Sequence, residues 1–214
     1  MLKFKELLQI LAIIAIELPL EILGYLIVPI ALAFCDKNSE RLPKWARYFE
    51  DASDLYDGEN SAINGDSGWR KGHFKEPKNR TYFARLLWLY RNRIGYFSSR
   101  INGVKVSEIE PSSVITQGNP RVTSNGGVIS AFCKVTCKLK DGRTRFGLFK
   151  TIRYKGFLSG FYCRVYVGWK LLDVAEMNEY NKATFMQPDD KAFLKSVWCV
   201  NPFKRVQGSN NAKS

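Results

Sequence analysis

The residues with the most chemical promise lie in Gly65-Asp66-Ser67-Gly68-Trp69-Arg70, with His73 six residues beyond the serine. A serine beside an aspartate, with an imidazole close by, is the raw material of nucleophilic acyl transfer. The order is wrong for it. A trypsin-like triad runs His, Asp, Ser along the chain, and here the single histidine follows Ser67. A nucleophile elbow needs Gly-x-Ser-x-Gly at a strand-to-helix turn, and Trp69 stands where the second glycine belongs. P-loop, GxGxxG and zincin patterns do not occur. The acids Glu50, Asp51, Asp54, Asp57, Glu59 and Asp66 lack EF-hand spacing. With one histidine and no Cys-x-x-Cys pair, the cysteines do not spell a zinc site. The expectation is a protein without catalysis, cofactor or metal. In it, Asp66 and Ser67 bond neighbouring amides, and Trp69 with Arg70 completes a structural clasp.

The stretch from Leu7 to Phe34 holds 28 residues whose only charges are Glu17 and Glu21. As a helix it is about 42 Å long at about 1.5 Å per residue, against a hydrocarbon core of about 30 Å. It is long enough to span a bilayer, and membrane helices tolerate kinks of the kind Pro19 and Pro29 bring. A cleaved leader fits less well, because its apolar core runs to about 7–15 residues. A re-entrant hairpin turning at Glu17-Leu18-Pro19-Leu20-Glu21 and an interfacial helix are the rivals to a single span. Carboxylates in such a segment turn toward protein or water. Glu17 and Glu21 lie at i, i+4, and Gly24 and Tyr25 continue their face. These four residues are expected to form an oligomer seam or to meet a basic residue of another membrane protein. The alternative is that the two glutamates are neutral at an interface or a helix break.

The formal net charge is +13. Residues 1–35 carry two lysines against three glutamates, and residues 36–66 carry four basic side chains against eight acids. Those segments are −1 and −4, so residues 67–214 hold +18. A step of that size predicts a basic surface facing an anionic leaflet or nucleic acid, a solubilising surface being the plainer reading. Its candidates are Arg80, Arg85, Arg91 and Arg93 on a helix, and Lys134, Lys138, Arg164 and Lys170 on strands. Lys37, Arg41, Lys44 and Arg47 follow the apolar stretch, which by the positive-inside rule puts the remainder of the chain in the cytoplasm. Five cysteines, odd in number and loosely spaced, argue against a secreted disulfide framework and fit a reducing compartment.

Pro43 opens a short helix to about Asp51, with Trp45, Tyr48 and Phe49 on one face. Asn79 caps a second helix, with Phe83, Leu86, Leu87 and Tyr90 as its apolar stripe and Gly95 as its end. From about Val104 the period becomes two. Ala131, Cys133, Val135, Cys137 and Leu139 face in, with Lys134, Thr136 and Lys138 facing out. Asp141-Gly142 makes a hairpin turn. A third strand places Phe161, Cys163, Val165, Val167 and Trp169 inward. Leu172–Asn181 and Asp189–Trp198 read as short helices. The fold class is therefore α+β, an antiparallel meander packed on amphipathic helices. Its divisions are a membrane-embedded segment at 1–35, an acidic aromatic linker at 36–76, a basic domain at 77–204 and a loose tail at 205–214.

The order of the pieces, an apolar N-terminal segment, LPKWARYFED, GDSGW, RLLWLYRN and GYF before a β-rich end, resembles a family of small membrane-anchored proteins of unknown function encoded by tailed bacteriophages. The similarity lies mainly over residues 1–100. It implies a phage protein acting in an infected bacterium or carried in a virion, and it transfers no activity and no site residue. The expected function is a non-enzymatic, membrane-anchored accessory protein in the host inner membrane, its basic cytoplasmic domain touching anionic lipid or a host or phage protein. Homo-oligomers would form through residues 1–35. A membrane-tethered nucleic-acid-binding protein is the alternative, and an envelope-acting hydrolase the third.

Overall fold

The computed structural model describes residues 2–51, 62–119, 122, 127–172 and 193–206. It is an α+β protein. An N-terminal apolar helix, α1 (Phe4–Ala33), precedes two shorter helices, α2 (Ser67–Gly72) and α3 (Tyr82–Asn92), and an antiparallel sheet. Both prolines lie inside α1, which is continuous, so the hairpin turning at residues 17–21 does not form. Leu, Ile and Ala fill its turns, and helix-compatible neighbours hold a proline-containing helix together where the lost bonds are met from outside. Pro29 lacks the N–H that would bond the Tyr25 carbonyl. The Tyr90 hydroxyl donates to that oxygen instead, at 3.4 Å.

The chain groups into two compact units. One joins Ala12–Ser107 with Pro188–Lys195, and the other joins Met1–Leu11, Glu108–Gln187 and Ser196–Ser214. This grouping differs from the linear division at 35, 76 and 204, because α1 contributes to each unit.

In the helical unit, Val28, Ala31 and Leu32 of α1 pack in one core with Leu42, Trp69, Trp88 and Leu89. The helix cap of α3 is Thr81, whose hydroxyl accepts from the Ala84 amide, not Asn79, which is buried in a preceding 3₁₀ turn. The helix stops at Asn92, short of Gly95. Its buried face is Ala84, Arg85, Trp88 and Leu89, with Phe83 exposed and Leu86, Leu87 and Tyr90 only partly covered. A polarity count misses this face because the cation Arg85 sits inside it. After Pro43 the chain forms a 3₁₀ helix, Lys44–Phe49, with Ala46 and Phe49 buried. Three residues per turn put Trp45 and Tyr48 together on the exposed side. Glu50 and Asp51 are buried rather than solvated. Glu50 accepts from the Leu42 amide at 2.9 Å and from Arg41, and Asp51 pairs with Lys195. Asp54, Asp57 and Glu59 lie outside the described residues. Two short strands, β1 (Val104–Lys105) and β6 (Phe193–Leu194), pair in this unit.

In the sheet unit, β2 (Ile115–Gly118), β3 (Ala131–Lys138), β4 (Thr144–Arg153), β5 (Phe161–Trp169) and β7 (Ser196–Arg205) form one antiparallel sheet in that order. Asp141-Gly142 turns β3 into β4, with Asp141 Oδ1 accepting from the Arg143 amide at 2.9 Å. Cys133, Val135, Cys137 and Leu139 are buried as the alternation dictates. The expected helix at 189–198 is a correction: residues 193–194 and 196–205 are strands. β7 is an edge strand, where Pro202 is tolerated because one row of amides needs no partner. Residues 173–181 of the other expected helix lie outside the described residues.

Burial pushes the Cys137 thiol up to about 11, the nearby Arg145 opposing the shift. A thiol held higher in the folded state stabilises fully below its ordinary value and loses that contribution as pH rises through the folded one. Thermal melts should therefore fall more steeply between pH 9 and pH 11 in the native protein than in Cys137→Val. Equal slopes would remove Cys137 from the account.

Candidate functional site

The distinctive surface of this protein is α1. In one helix, residues three, four, seven and eleven apart return to one side. Glu6, Ile10, Ile13, Glu17, Gly24, Val28 and Ala31 are buried on that side. Each carboxylate on it has a partner. In the sheet unit, Glu6 meets Lys134 of β3 at 2.7 Å, with both side chains almost covered. In the helical unit, Glu17 Oε1 accepts from Asn102 Nδ2 at 2.9 Å. Glu21 Oε2 pairs with Arg93 Nη2 at 2.7 Å, while Arg93 Nε donates to the Glu21 carbonyl at 3.0 Å. Arg93 runs along the helix because Gly24 leaves it room: a Cβ there would lie 3.3 Å from three of its carbons. Its guanidinium covers the Tyr25 ring at 4.2 Å.

The expected face of Glu17, Glu21, Gly24 and Tyr25 thus comes together, but its partner is Arg93 and Asn102 of the same chain. The basic residue sought in another membrane protein is intramolecular. Sequence reading missed Glu6 and placed its partner Lys134 on the outward basic face. The eleven-residue step from Glu6 to Glu17, three helical turns, was the available signal.

The opposite side of α1 is uncovered. Phe4, Leu7, Leu8, Leu11, Ile16, Leu18, Ile22, Leu23, Leu26, Ile30 and Phe34 are all exposed. Lys5 and Tyr25 are the polar side chains among the exposed positions from Phe4 to Phe34 of this stretch. The helix is long and apolar enough to cross a membrane.

The Asp66 region is a helix start. Asp66 Oδ1 accepts from the Trp69 amide at 2.7 Å, capping α2. Arg70 Nη1 donates to the Gly65 carbonyl at 2.6 Å. Gly65 has φ +84, and a Cβ on it would strike Trp69 Cδ1 at 2.3 Å. Trp69 is buried, with its ring stacked on His73 at 4.0 Å and close to Trp88 at 5.6 Å. The imidazole lies on an indole, and Ser67 opens the short helix.

Four of the eight basic residues, Arg80, Arg85, Arg93 and Lys134, are held by internal partners. Arg85 and Lys134 are buried, against expectation. Arg85 donates to Asn64 Oδ1 and to the carbonyls of Asp36, Lys37 and Ser39, at 2.7 to 2.9 Å, closing the chain that leaves α1. Burial lowers the guanidinium's proton affinity, and an arginine stays charged regardless. Arg80 pairs with Glu40 at 2.8 Å and Arg93 with Glu21. Arg164 is half-buried beside Cys199, and Lys170 is half-buried. Arg91 and Lys138 are exposed. Among the described residues no cluster of His, Cys, Asp and Glu has metal-binding proximity.

Residues 1–207 match a family of unknown function (DUF7338), and the chain belongs to that family. Comparison with curated proteins gives no match, nor does comparison with solved structures.

Removing one partner of a buried pair strands a charge and costs about 3–5 kcal/mol, whereas replacing both is close to neutral. Lys134→Met should accordingly lower unfolding free energy by about that amount, and Glu6→Leu with Lys134→Met should recover most of it; an additive double mutant would deny the coupling. Losing an N-cap costs about 1 kcal/mol, and truncating a core tryptophan about 3–5 kcal/mol. Asp66→Ala and Trp69→Ala should separate on that scale in denaturant melts.

Proposed function

We propose that this protein is a non-enzymatic, membrane-bound accessory protein of a bacteriophage, held on the host inner membrane by α1 with its folded remainder in the cytoplasm. The observation that carries the reading is the sidedness of α1: its carboxylates are turned inward and paired, while its outward face is almost wholly apolar over 30 residues. A core helix of a soluble protein would have that face covered. A leader destined for removal would not supply Val28, Ala31 and Leu32 to the core of the mature fold.

Magnitudes support a bilayer as the cover. Nine outward Leu and Ile side chains are exposed on α1. Full burial of each is worth roughly 1.5–3 kcal/mol, so half-burial of nine is roughly 7–13 kcal/mol, above the roughly 5.5 kcal/mol hold of a single acyl chain. The five cysteines are free thiols, which suits a reducing cytoplasm. The bacteriophage setting rests on the order of the Trp, Arg and Gly motifs over residues 1–100. The ion pairs of Arg80, Arg93 and Lys134 and the burial of Arg85 give lipid or protein contact more support than a nucleic-acid platform, which needs free cations beside stacking rings.

Flotation with vesicles tests the reading. The full chain should float. The triple variant Leu11→Asp, Ile22→Asp, Leu26→Asp should stay at the bottom of the gradient with an unchanged circular dichroism spectrum. A full chain that remains soluble and unattached to vesicles would refute membrane binding.

A further inference from the structure

Building on that membrane-bound reading, we propose that α1 is an in-plane anchor: it lies along one leaflet with its outward face in the headgroup–acyl boundary, and it does not cross the bilayer.

The inward face decides this. Residues 12–33 of α1 measure about 33 Å at about 1.5 Å per residue, the length that a span needs. Over that same length the helical unit is packed against it. Asn102 holds Glu17, Arg93 holds Glu21 and lies on Gly24, and the Tyr90 and Tyr82 hydroxyls donate to the carbonyls of Tyr25 and Pro29. A crossing helix would carry those groups, and the irregular backbone attached to them, into hydrocarbon, where lipid-exposed loops do not occur. The alternative is to strip the contacts off and expose Glu17 and Glu21 to lipid, which is costly. Lying flat keeps every inward contact and still covers the outward face.

Three further features fit the boundary. The exposed positions cover about half the helix circumference, and the other half is held by protein, so one face alone is left for the headgroup–acyl boundary. Pro19, on the outward side, removes the N–H that would bond the Ala15 carbonyl. At the boundary that oxygen can meet water, and at mid-bilayer it would face hydrocarbon. Within the helical unit, Trp45, Tyr48 and Tyr82 are exposed, and Trp and Tyr are the ring types that settle at headgroup level.

Protease protection of a full chain bearing one epitope at each end, in sealed inner-membrane vesicles of both orientations, reads the topology. Both epitopes should be lost from inside-out vesicles and both retained in right-side-out ones. Epitopes on opposite sides would establish a span and overturn the in-plane anchor, leaving membrane binding intact. Recovery of the chain in the soluble fraction would overturn both. So would a soluble dimer whose outward face is shielded from vesicles, since it would make a second copy the occupant. Spin labels at positions 8, 15, 22, 26 and 33 in the membrane-bound full chain supply a second measure. Equal shallow immersion is expected, and a maximum at position 15 or 22 with shallow ends would overturn the proposal.

Discussion

A buried carboxylate must be paired, and α1 carries two of them, Glu6 and Glu17, with the half-buried Glu21 on the same side. That constraint organises the rest. Twenty-two of its 30 residues are Leu, Ile, Ala, Val or Pro, and alone these would form a helix apolar all round, with little to choose which face meets protein. Glu6, Glu17 and Glu21 fall within a narrow arc because their spacings of eleven and four are close to whole numbers of turns. Once that arc faces Lys134 in one unit and Asn102 and Arg93 in the other, the remaining positions follow. Gly24, Val28 and Ala31 come inward, and Leu8, Ile22 and Leu26 go outward. The pairs need not add stability over an apolar seam of equal volume. Their effect is rotational register, the use for which buried polar groups are best attested.

The same logic recurs in the helical unit. Arg85 sits at a core position of α3 and spends its donors on Asn64 and three carbonyls. Glu50 accepts a backbone amide and Arg41, and Asp51 meets Lys195. These charges join irregular segments, between α1 and α3, that have no ladder of their own. A planar guanidinium can answer several carbonyls at once, which makes it suited to closing a chain as it leaves a helix. The apparent basic stripe of α3 is therefore largely internal wiring.

Period and turn chemistry were the legible parts of the sequence. The apolar helix, the Asp141-Gly142 hairpin and the inward row of Cys133, Val135, Cys137 and Leu139 each depend on local patterns. So does the start of α2 at Asp66, whose side chain reaches an amide three residues away. What was not legible depends on distant partners. Lys134 belongs to the polar row by alternation, and it is buried in a pair with Glu6, 128 residues away. Arg85 looks like a surface cation until Asn64 and the carbonyls after α1 surround it. β7 lacks a clean alternation because an edge strand is covered unevenly, and Pro202 within it reads as a helix or loop signal.

Charge and apolar surface then play different parts. Internal pairs cancel, so the +13 surplus must reside on groups left outside them. From Gly142 to Leu172 the chain has seven basic residues and no acid, with Lys150 and Lys155 exposed. Such charges act through solvent, and screening over about 8 Å at physiological salt limits each to about 1 kcal/mol at an anionic surface. Seven such charges together reach at most about 7 kcal/mol, the low end of the roughly 7–13 kcal/mol of the outward Leu and Ile, and salt screens the first and not the second. In the membrane-bound state proposed above, the helix face would supply a hold that salt does not screen, and the basic residues would bias the orientation.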